Sequence, residues 1–450
     1  MFDVVIIGCG IVGAATAYEL SKYKLKIAVL EKENDVSTGA TKANSAIIHS
    51  GYDPKHGTLM AKLNVEGAAL AKDLCKTLNI PYKQCGALVL AFSSQELPVL
   101  EDLLKNGLEN GVEGLRILNR DEVLKLDPNV NGDVVAALYS PTVGIVSPWE
   151  YTLALAETAV ENGAELRLEC EVSNIKKTGE GYSLDTTQGK IHTKYVVNAA
   201  GLYSDKINNM VSKETFKIKP SRGEYFVFSK SEGKHVNHVI FQCPSKQGKG
   251  ILVTPTVYGN LLIGPNSENV TDAGNVSNTA EGLDFIKESS KKSVPTLNFK
   301  KTIRNFAGNR AKASNGDFIV CEAKDAKGFI NIAGIASPGL SSAPAIAKMA
   351  IGFLFKSGID LHKKDDFILK PRHTRYNTLS ETERAKIQDP SYRNIICRCE
   401  TVTEGEIRIA LSAKIPPKSV DAVKRRCGTG MGMCQGKYCG PRVAELLGSQ

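Results

Sequence analysis

Five of the chain's eleven cysteines fall between residues 397 and 439, in "ICRCETVTEGE" and "KRRCGTGMGMCQGKYCGPRV". Cys397 and Cys399 form a C-x-C pair. Cys434 and Cys439 form a C-x4-C pair, with 34 residues between Cys399 and Cys434. Two close pairs separated by a small helical unit can close around one metal centre. Thiolates favour iron–sulfur clusters, zinc or copper(I), and C-x-C departs from the spacing of structural zinc sites. Cys427 stands outside both pairs, either a spare thiol or a further ligand. The glycines of "GTGMGMCQGKYCG" supply N–H groups able to bond cluster sulfurs. The basic run "VKRRC" is expected to raise a cluster's potential and to steer an acidic partner. The other six cysteines are isolated in sequence and read mostly as small buried apolar residues.

A second chemistry is written at the other end. "DVVIIG" at residues 3–8 reads as a buried parallel strand. Gly8-Cys9-Gly10-Ile11-Val12-Gly13 follows and opens into the helical "AATAYELSKY" and a second strand, "KIAVLEK". Gly8 permits a tight turn, Gly10 lets a pyrophosphate approach the backbone, and Gly13 lets the helix pack on the strand. The helix N-terminus offers unpaired N–H groups to phosphate, and Glu31, 18 residues past Gly13, is placed for ribose hydroxyls. Strand, glycines, helix, strand and acid in this order predict dinucleotide binding. Three further segments read as backbone approaches to a cofactor: 37–57, 194–205 and 328–350. Three separated segments on one ligand suit a large, permanently bound cofactor better than a dissociating nicotinamide.

These segments resemble the glycine/D-amino-acid oxidase superfamily of flavoproteins. More narrowly, "ANSAIIHSGYDP", "GKGILVTPTVYGNLLIGP", "FAGNRA" and "SPGLSSAPA" resemble the FAD-dependent glycerol 3-phosphate dehydrogenases and oxidases, from residue 1 to about 360. The tail resembles the small BFD-like [2Fe–2S] domain at the C-terminus of some dehydrogenase subunits in that family. The resemblance implies noncovalent FAD held by Gly8, Gly10, Ile11, Val12, Gly13, Glu31, Lys32, Thr41, Asn44, Ser45, Ala46, Val172, Ala200, Gly201, Gly334, Pro338, Gly339, Leu340 and Ser341. It implies a [2Fe–2S] cluster on Cys397, Cys399, Cys434 and Cys439. His49 is then the base, since a neutral imidazole titrates near physiological pH. Arg310 matches the family's substrate-binding arginine, and its planar fork suits a phosphate or carboxylate. Lys249 matches a basic position, and Ser337 lies where the family contacts flavin and substrate. Arg222 is either another anion contact or a brace within the sheet. Relatives often carry glycine where Ala46 stands.

The elements that must position these groups follow. The expected fold is an α/β Rossmann-like FAD-binding domain over 1–85, 145–210 and 302–360. A mostly antiparallel substrate domain over 86–144 and 211–301 is inserted in it. A charged linker spans 361–394, with one short helix at "SETERAKI", and a helical cysteine-rich domain occupies 395–450. Strands are expected at 86–92, 136–140, 223–228, 238–242 and within 250–264, and a returning strand at about 166–177. A helix is expected over 93–111. The net charge of +9 fits an anionic ligand or an acidic partner and is too weak to argue nucleic acid. No apolar run reaches the roughly 18–20 residues that span a bilayer. The apolar run from residue 4 lacks a basic flank, so the expectation is a cytoplasmic protein, reaching a membrane only through a partner.

The activity these readings imply is oxidation of glycerol 3-phosphate to dihydroxyacetone phosphate, with electrons leaving through the cluster to a second flavoprotein or electron-transfer subunit. The rival readings are a 2-hydroxy-acid dehydrogenase acting on a compound such as 2-hydroxyglutarate, an amino-acid or amine oxidase, and a relay subunit with a degenerate pocket.

Overall fold

The computed structural model describes residues 1–244 and 250–449. Its β-branched N-terminal run forms β1 (Phe2–Ile7), fully buried from Val4 to Ile6. Strand β1 lies between β2 (Ile27–Leu30) and β3 (Gly189–Asn198), with Val4 opposite Ile27 on one side and Tyr195 on the other. The strand Glu165–Arg167 continues the sheet beyond β2, and β6 (Ala326–Ala333) lies beside the end of β3. All of these run parallel, so each needs cover on both faces. One face is covered by α1 (Ile11–Leu20), α2 (Leu59–Thr77), α3 (Pro148–Glu161) and α4 (Gly339–Lys356), whose apolar residues share one core. On the other face Val5, Ile7, Ala28 and Leu30 share a core with Val172, Ile175, Tyr182 and Leu184 of the antiparallel pair Val172–Thr178 and Gly181–Thr186, which extends the same sheet beyond β3.

The returning strand expected at 166–177 is two strands. Glu165–Arg167 pairs with β2 at one edge of the sheet, whereas Val172–Thr178 lies at the opposite edge. The chain breaks between them at Glu169, whose φ of +57° no strand tolerates.

The inserted sheet has nine strands. Ala87–Ala91, Ala136–Ser140 and Val239–Gln242 fall where expected, and 250–264 folds into a hairpin of Leu252–Pro255 and Leu261–Gly264. The pairings are antiparallel except Val239–Gln242 against Ala87–Ala91. The helix Leu97–Glu109 buries Leu100 in the cluster on the back of this sheet. The longest pairing joins β4 (Ile218–Phe228) to β5 (Thr302–Ala313), from Ile218–Ala313 to Phe228–Thr302. This corrects the boundary expected at 302: β5 belongs to the inserted sheet, and the chain re-enters the nucleotide-binding sheet at Ile319–Ala323. Asn305, Gly308 and Asn309 are poor strand formers and hid this strand. Gly308's lack of a side chain has a use, because it packs directly on the Ala43 backbone.

The segment 361–394 contains the expected short helix, Glu381–Ala385, started by a Ser380 capping box. It is a pinned strap and not a free tether. Arg372 bonds Glu157 at 2.9 Å and Arg375 bonds Glu150, both buried carboxylates of α3. The last domain packs Glu404–Leu411, α5 (Val420–Cys427) and Gly440–Gly448 around Ile407, Val423 and Val443. It sits on the chain's own nucleotide-binding part. Arg425 and Arg426, expected to steer a partner, are 6% and 4% exposed. Both bond Asp35, beyond β2, because a buried guanidinium needs a carboxylate.

Candidate active site and cluster site

At the nucleotide end, Gly8 has φ +97°, and a Cβ there would stand 2.6 Å from the Ala199 oxygen. A Cβ on Gly13 would collide with the Gly8 carbonyl oxygen. Helix α1 has neither a side-chain cap nor an acid in its first turn. Its Ile11 N–H donates to Thr41 Oγ1 at 3.0 Å, which draws the 37–46 segment across the helix N-terminus. Glu31 receives the Cys9 N–H at 2.8 Å and the Glu33 N–H at 3.0 Å. Burial raises its pKa despite those two donors. Each carboxylate oxygen keeps a lone pair for a ribose hydroxyl. Lys32 lies 4.2 Å over the ring of Tyr203, the last residue of the short turn that Ala200 and Gly201 begin. Val172 is buried at the neighbouring strand start. A helix N-terminus free of acidic side chains, a tight glycine turn and a buried acid together fit the nucleotide half of FAD.

The end expected to hold the flavin comprises 43–50 and the turn into α4. Ala46 has φ +59°, held by Asn44 Oδ1 on its N–H and by the Val146 N–H on its carbonyl. This left-handed conformation is one that glycine adopts more readily than alanine. Ser45 Oγ reaches the Tyr225 hydroxyl of β4 at 3.2 Å. His49 is clamped through its backbone: its N–H donates to Ser341 Oγ at 2.7 Å, and its carbonyl accepts from Asn64 Nδ2 at 2.7 Å. The imidazole lies 6.0 Å from the Phe241 ring. It lines two adjoining recesses, one shared with Ser337, Pro338 and Asn64, the other with Phe241, Gln242 and Leu103. Gly334 takes φ +68°, and Gly339 and Leu340 begin α4 directly after Pro338.

Arg310 stands on β5, its Nη1 3.5 Å from the Ser221 oxygen and its Nη2 3.3 Å from the Asn266 oxygen. Gly223 leaves the room this guanidinium occupies. Among the described residues no carboxylate pairs with it, and its contacts are the two carbonyl oxygens. The structure brings His49, Ser337, Pro338 and Ser341 together; Arg310 lines neither recess. Arg222 is a brace: 4% exposed, it bonds Glu268 at 2.5 Å, with Glu224 at 3.6 Å. Lys249 lies outside the described residues. Asn64, Tyr52 and Phe241 were not expected here. Asn64 had a signal, being a polar residue on the otherwise apolar buried face of α2.

In the tail, Cys399 Sγ and Cys434 Sγ are 3.7 Å apart, and the Cys439 thiol meets that of Cys397. Two thiolates at about 2.3 Å on one tetrahedral metal lie about 3.7 Å apart. Among the described residues no three metal-ligating side chains converge as a group for a single ion. Two pairs for two irons fit a four-thiolate [2Fe–2S] cluster. The Tyr438, Gly436 and Lys437 N–H groups reach Cys434 and hold its thiol below the usual range, as expected of the glycine loop. Burial, then Cys397, pushes Cys439 up to about 12. Cys427 is buried against the Val423 carbonyl in the domain's core.

The DAO family of FAD dependent oxidoreductases matches residues 3–351, and the BFD-like [2Fe-2S] binding domain matches 395–449. The chain is 52% identical to glycerol 3-phosphate dehydrogenase of Caloramator mitchellensis over 450 residues, covering 99% of this chain and 94% of that protein. It is 32% identical over 401 residues to mitochondrial L-2-hydroxyglutarate dehydrogenase of Mus musculus, covering 76% and 86%. Its fold matches dithionite-reduced L-alpha-glycerophosphate oxidase from Mycoplasma pneumoniae with FAD bound. The TM-score there is 0.78 and the identity 32%, over 83% of this chain and 99% of that one. The chain belongs to the FAD-dependent oxidoreductase family, with a BFD-like [2Fe–2S] domain following the flavoprotein fold.

Proposed function

We propose that the chain is an FAD-dependent glycerol 3-phosphate dehydrogenase that oxidises the C2 alcohol to dihydroxyacetone phosphate. The observation that carries this reading is the 52% identity, tail included, to a protein of that name. When bound, FAD supplies the hydride acceptor, held noncovalently, and the [2Fe–2S] cluster supplies a one-electron carrier. The chain's own groups do the rest. His49 takes the hydroxyl proton, and the Ser341 and Asn64 bonds to its backbone fix where the imidazole points. Arg310 holds the phosphate, with Lys249 a second cation for the dianion. Ser337, at the mouth of the same recess as His49, orients the substrate by its hydroxyl. Electrons leave through the tail to an electron-transfer partner, a route that the match to the oxidase leaves about a sixth of this chain free to provide. Among the described residues no helix is long and apolar enough to cross a membrane; we place the enzyme in the cytoplasm.

The similarity to a 2-hydroxyglutarate dehydrogenase supports a second reading, in which Arg310 holds a carboxylate. Anaerobic mixing with glycerol 3-phosphate, L-2-hydroxyglutarate or glycine separates the readings. Fast bleaching of the flavin by glycerol 3-phosphate alone is expected. Bleaching by the hydroxy acid alone would transfer the site to the second reading.

A further inference from the structure

Tyr438 at 78% and Met433 at 75% are the most exposed large apolar side chains among the described residues. Each directly precedes a ligand cysteine, Cys439 or Cys434. Exposed apolar groups so placed mark an interaction site, and tyrosine and methionine are enriched at protein interfaces. The two thiol pairs are also unequal. Cys397 and Cys439 are buried at 1% and 2%, whereas Cys399 is exposed, so the Cys399–Cys434 pair is the outer one. The exposed charges of the two ligand loops are all positive: Arg398 and Lys437. Arg304 of β5 adds a third, its guanidinium 3.4 Å from the Gln435 side chain. The one carboxylate in these loops, Glu400, is buried and held by Lys230.

We propose that this face is the docking surface for an acidic one-electron carrier protein. Met433 and Tyr438 form its apolar centre, and Arg398, Lys437 and Arg304 its positive rim. The proposal deepens the function above and rests on its reading of the tail, not on its substrate. Each encounter moves one electron and no proton: this chain is oxidised by one, the carrier is reduced by one, and two encounters clear the pair taken from one alcohol. Complementary charge raises the encounter rate and is screened by salt.

The test uses the full-length protein with both cofactors, reduced anaerobically by dithionite and freed of excess reductant. It is mixed in a stopped flow with a flavodoxin, as the acidic carrier, or with basic cytochrome c. Oxidation by flavodoxin is expected to slow steeply with salt, and oxidation by cytochrome c to quicken. Lys437→Glu, and separately Arg304→Glu, should slow the flavodoxin reaction about tenfold or more at low salt. Met433→Ser and Tyr438→Ser should weaken binding of oxidised flavodoxin to the oxidised protein, read by fluorescence anisotropy. Iron and sulfide content, and flavin bleaching by substrate, should stay as in the parent. Arg304 lies outside the tail, so its variant keeps the test standing if a ligand-loop variant loses its cluster. Rates indifferent to salt, or variants that bind and react like the parent with an intact cluster, overturn the proposal. So does a protein purified without iron and sulfide. Because dithionite supplies the electrons, failure here is distinct from failure of the substrate reading.

Discussion

Asp35→Asn should loosen the tail from the flavoprotein core. Asp35 accepts from Arg425 Nη2 at 2.7 Å, from Arg426 Nη1 at 2.9 Å and from Arg426 Nη2 at 2.8 Å. Its side chain is 1% exposed, and those of the two arginines are 7% and 1%. Removing one partner from a buried charge network typically costs about 3–5 kcal/mol. Arg425 keeps Asp421, and Arg426 keeps the Ile415 and Ala422 carbonyls. The loss should therefore lie near about 3 kcal/mol, or roughly a hundredfold in the docking equilibrium. Hydrogen exchange over α5 and the strap 361–394 reads this directly, with flavin content measured alongside because Asp35 lies beyond β2 near the nucleotide turn. Adding Arg425→Met and Arg426→Met should restore most of the protection, since an apolar replacement removes the unpaired charges. Unchanged exchange in Asp35→Asn, or no recovery in the triple variant, would refute the argument. The pH dependence has a definite sign. Burial pushes the Asp35 pKa up, but Arg426 and then Arg425 outweigh it, and the carboxyl ends below its ordinary value of 3.8. A lowered folded pKa gives stability that is complete above the unfolded value and is lost as pH falls through the folded one. Docking should thus survive mild acid and fail only below about pH 4.

His49→Gln should bind FAD normally yet lower the anaerobic rate of flavin bleaching by about 10²- to 10⁴-fold, the usual worth of a general base; a parent-like rate would remove His49 from that role. Arg310→Ala should reduce kcat/KM by about 10- to 150-fold, as for a lost hydrogen bond to a charged group, with Arg310→Lys recovering only part. Ala46→Gly should raise stability by up to about 1 kcal/mol by relieving the left-handed backbone, read as an upward shift in Tm. Cys427→Ala should keep a full complement of iron and sulfide, whereas Cys399→Ala should lose it.

The nucleotide-binding unit was legible because its signal is local: β1, the glycine turn, α1, β2 and Glu31 occur in one stretch of sequence and fold in that order. The four tail cysteines were legible as two short spacings, but their pairing was not: the fold sets Cys399 against Cys434 and Cys397 against Cys439, across the intervening helices. The inserted sheet was legible where strands were apolar runs, and β5 was missed because Asn305, Gly308 and Asn309 disguise it. The role of Arg425 and Arg426 was not readable. A basic run looks the same whether it faces water or a buried Asp35 some 390 residues away. Asn64 and Ser341 illustrate the same limit at the site. Their effect on His49 depends on α2 and α4 meeting beside the His49 backbone, which no spacing in the sequence expresses.

An alcohol oxidised at the His49 recess should send its electrons to the cysteine pairs of the tail. Adding glycerol 3-phosphate anaerobically to the purified protein, with visible and low-temperature electron paramagnetic resonance spectra taken on the same sample, tests this most directly. The flavin bands should bleach and the signal of a reduced [2Fe–2S] cluster should appear with them. A flavin that bleaches while the cluster stays oxidised, with or without an added acceptor, would contradict this route.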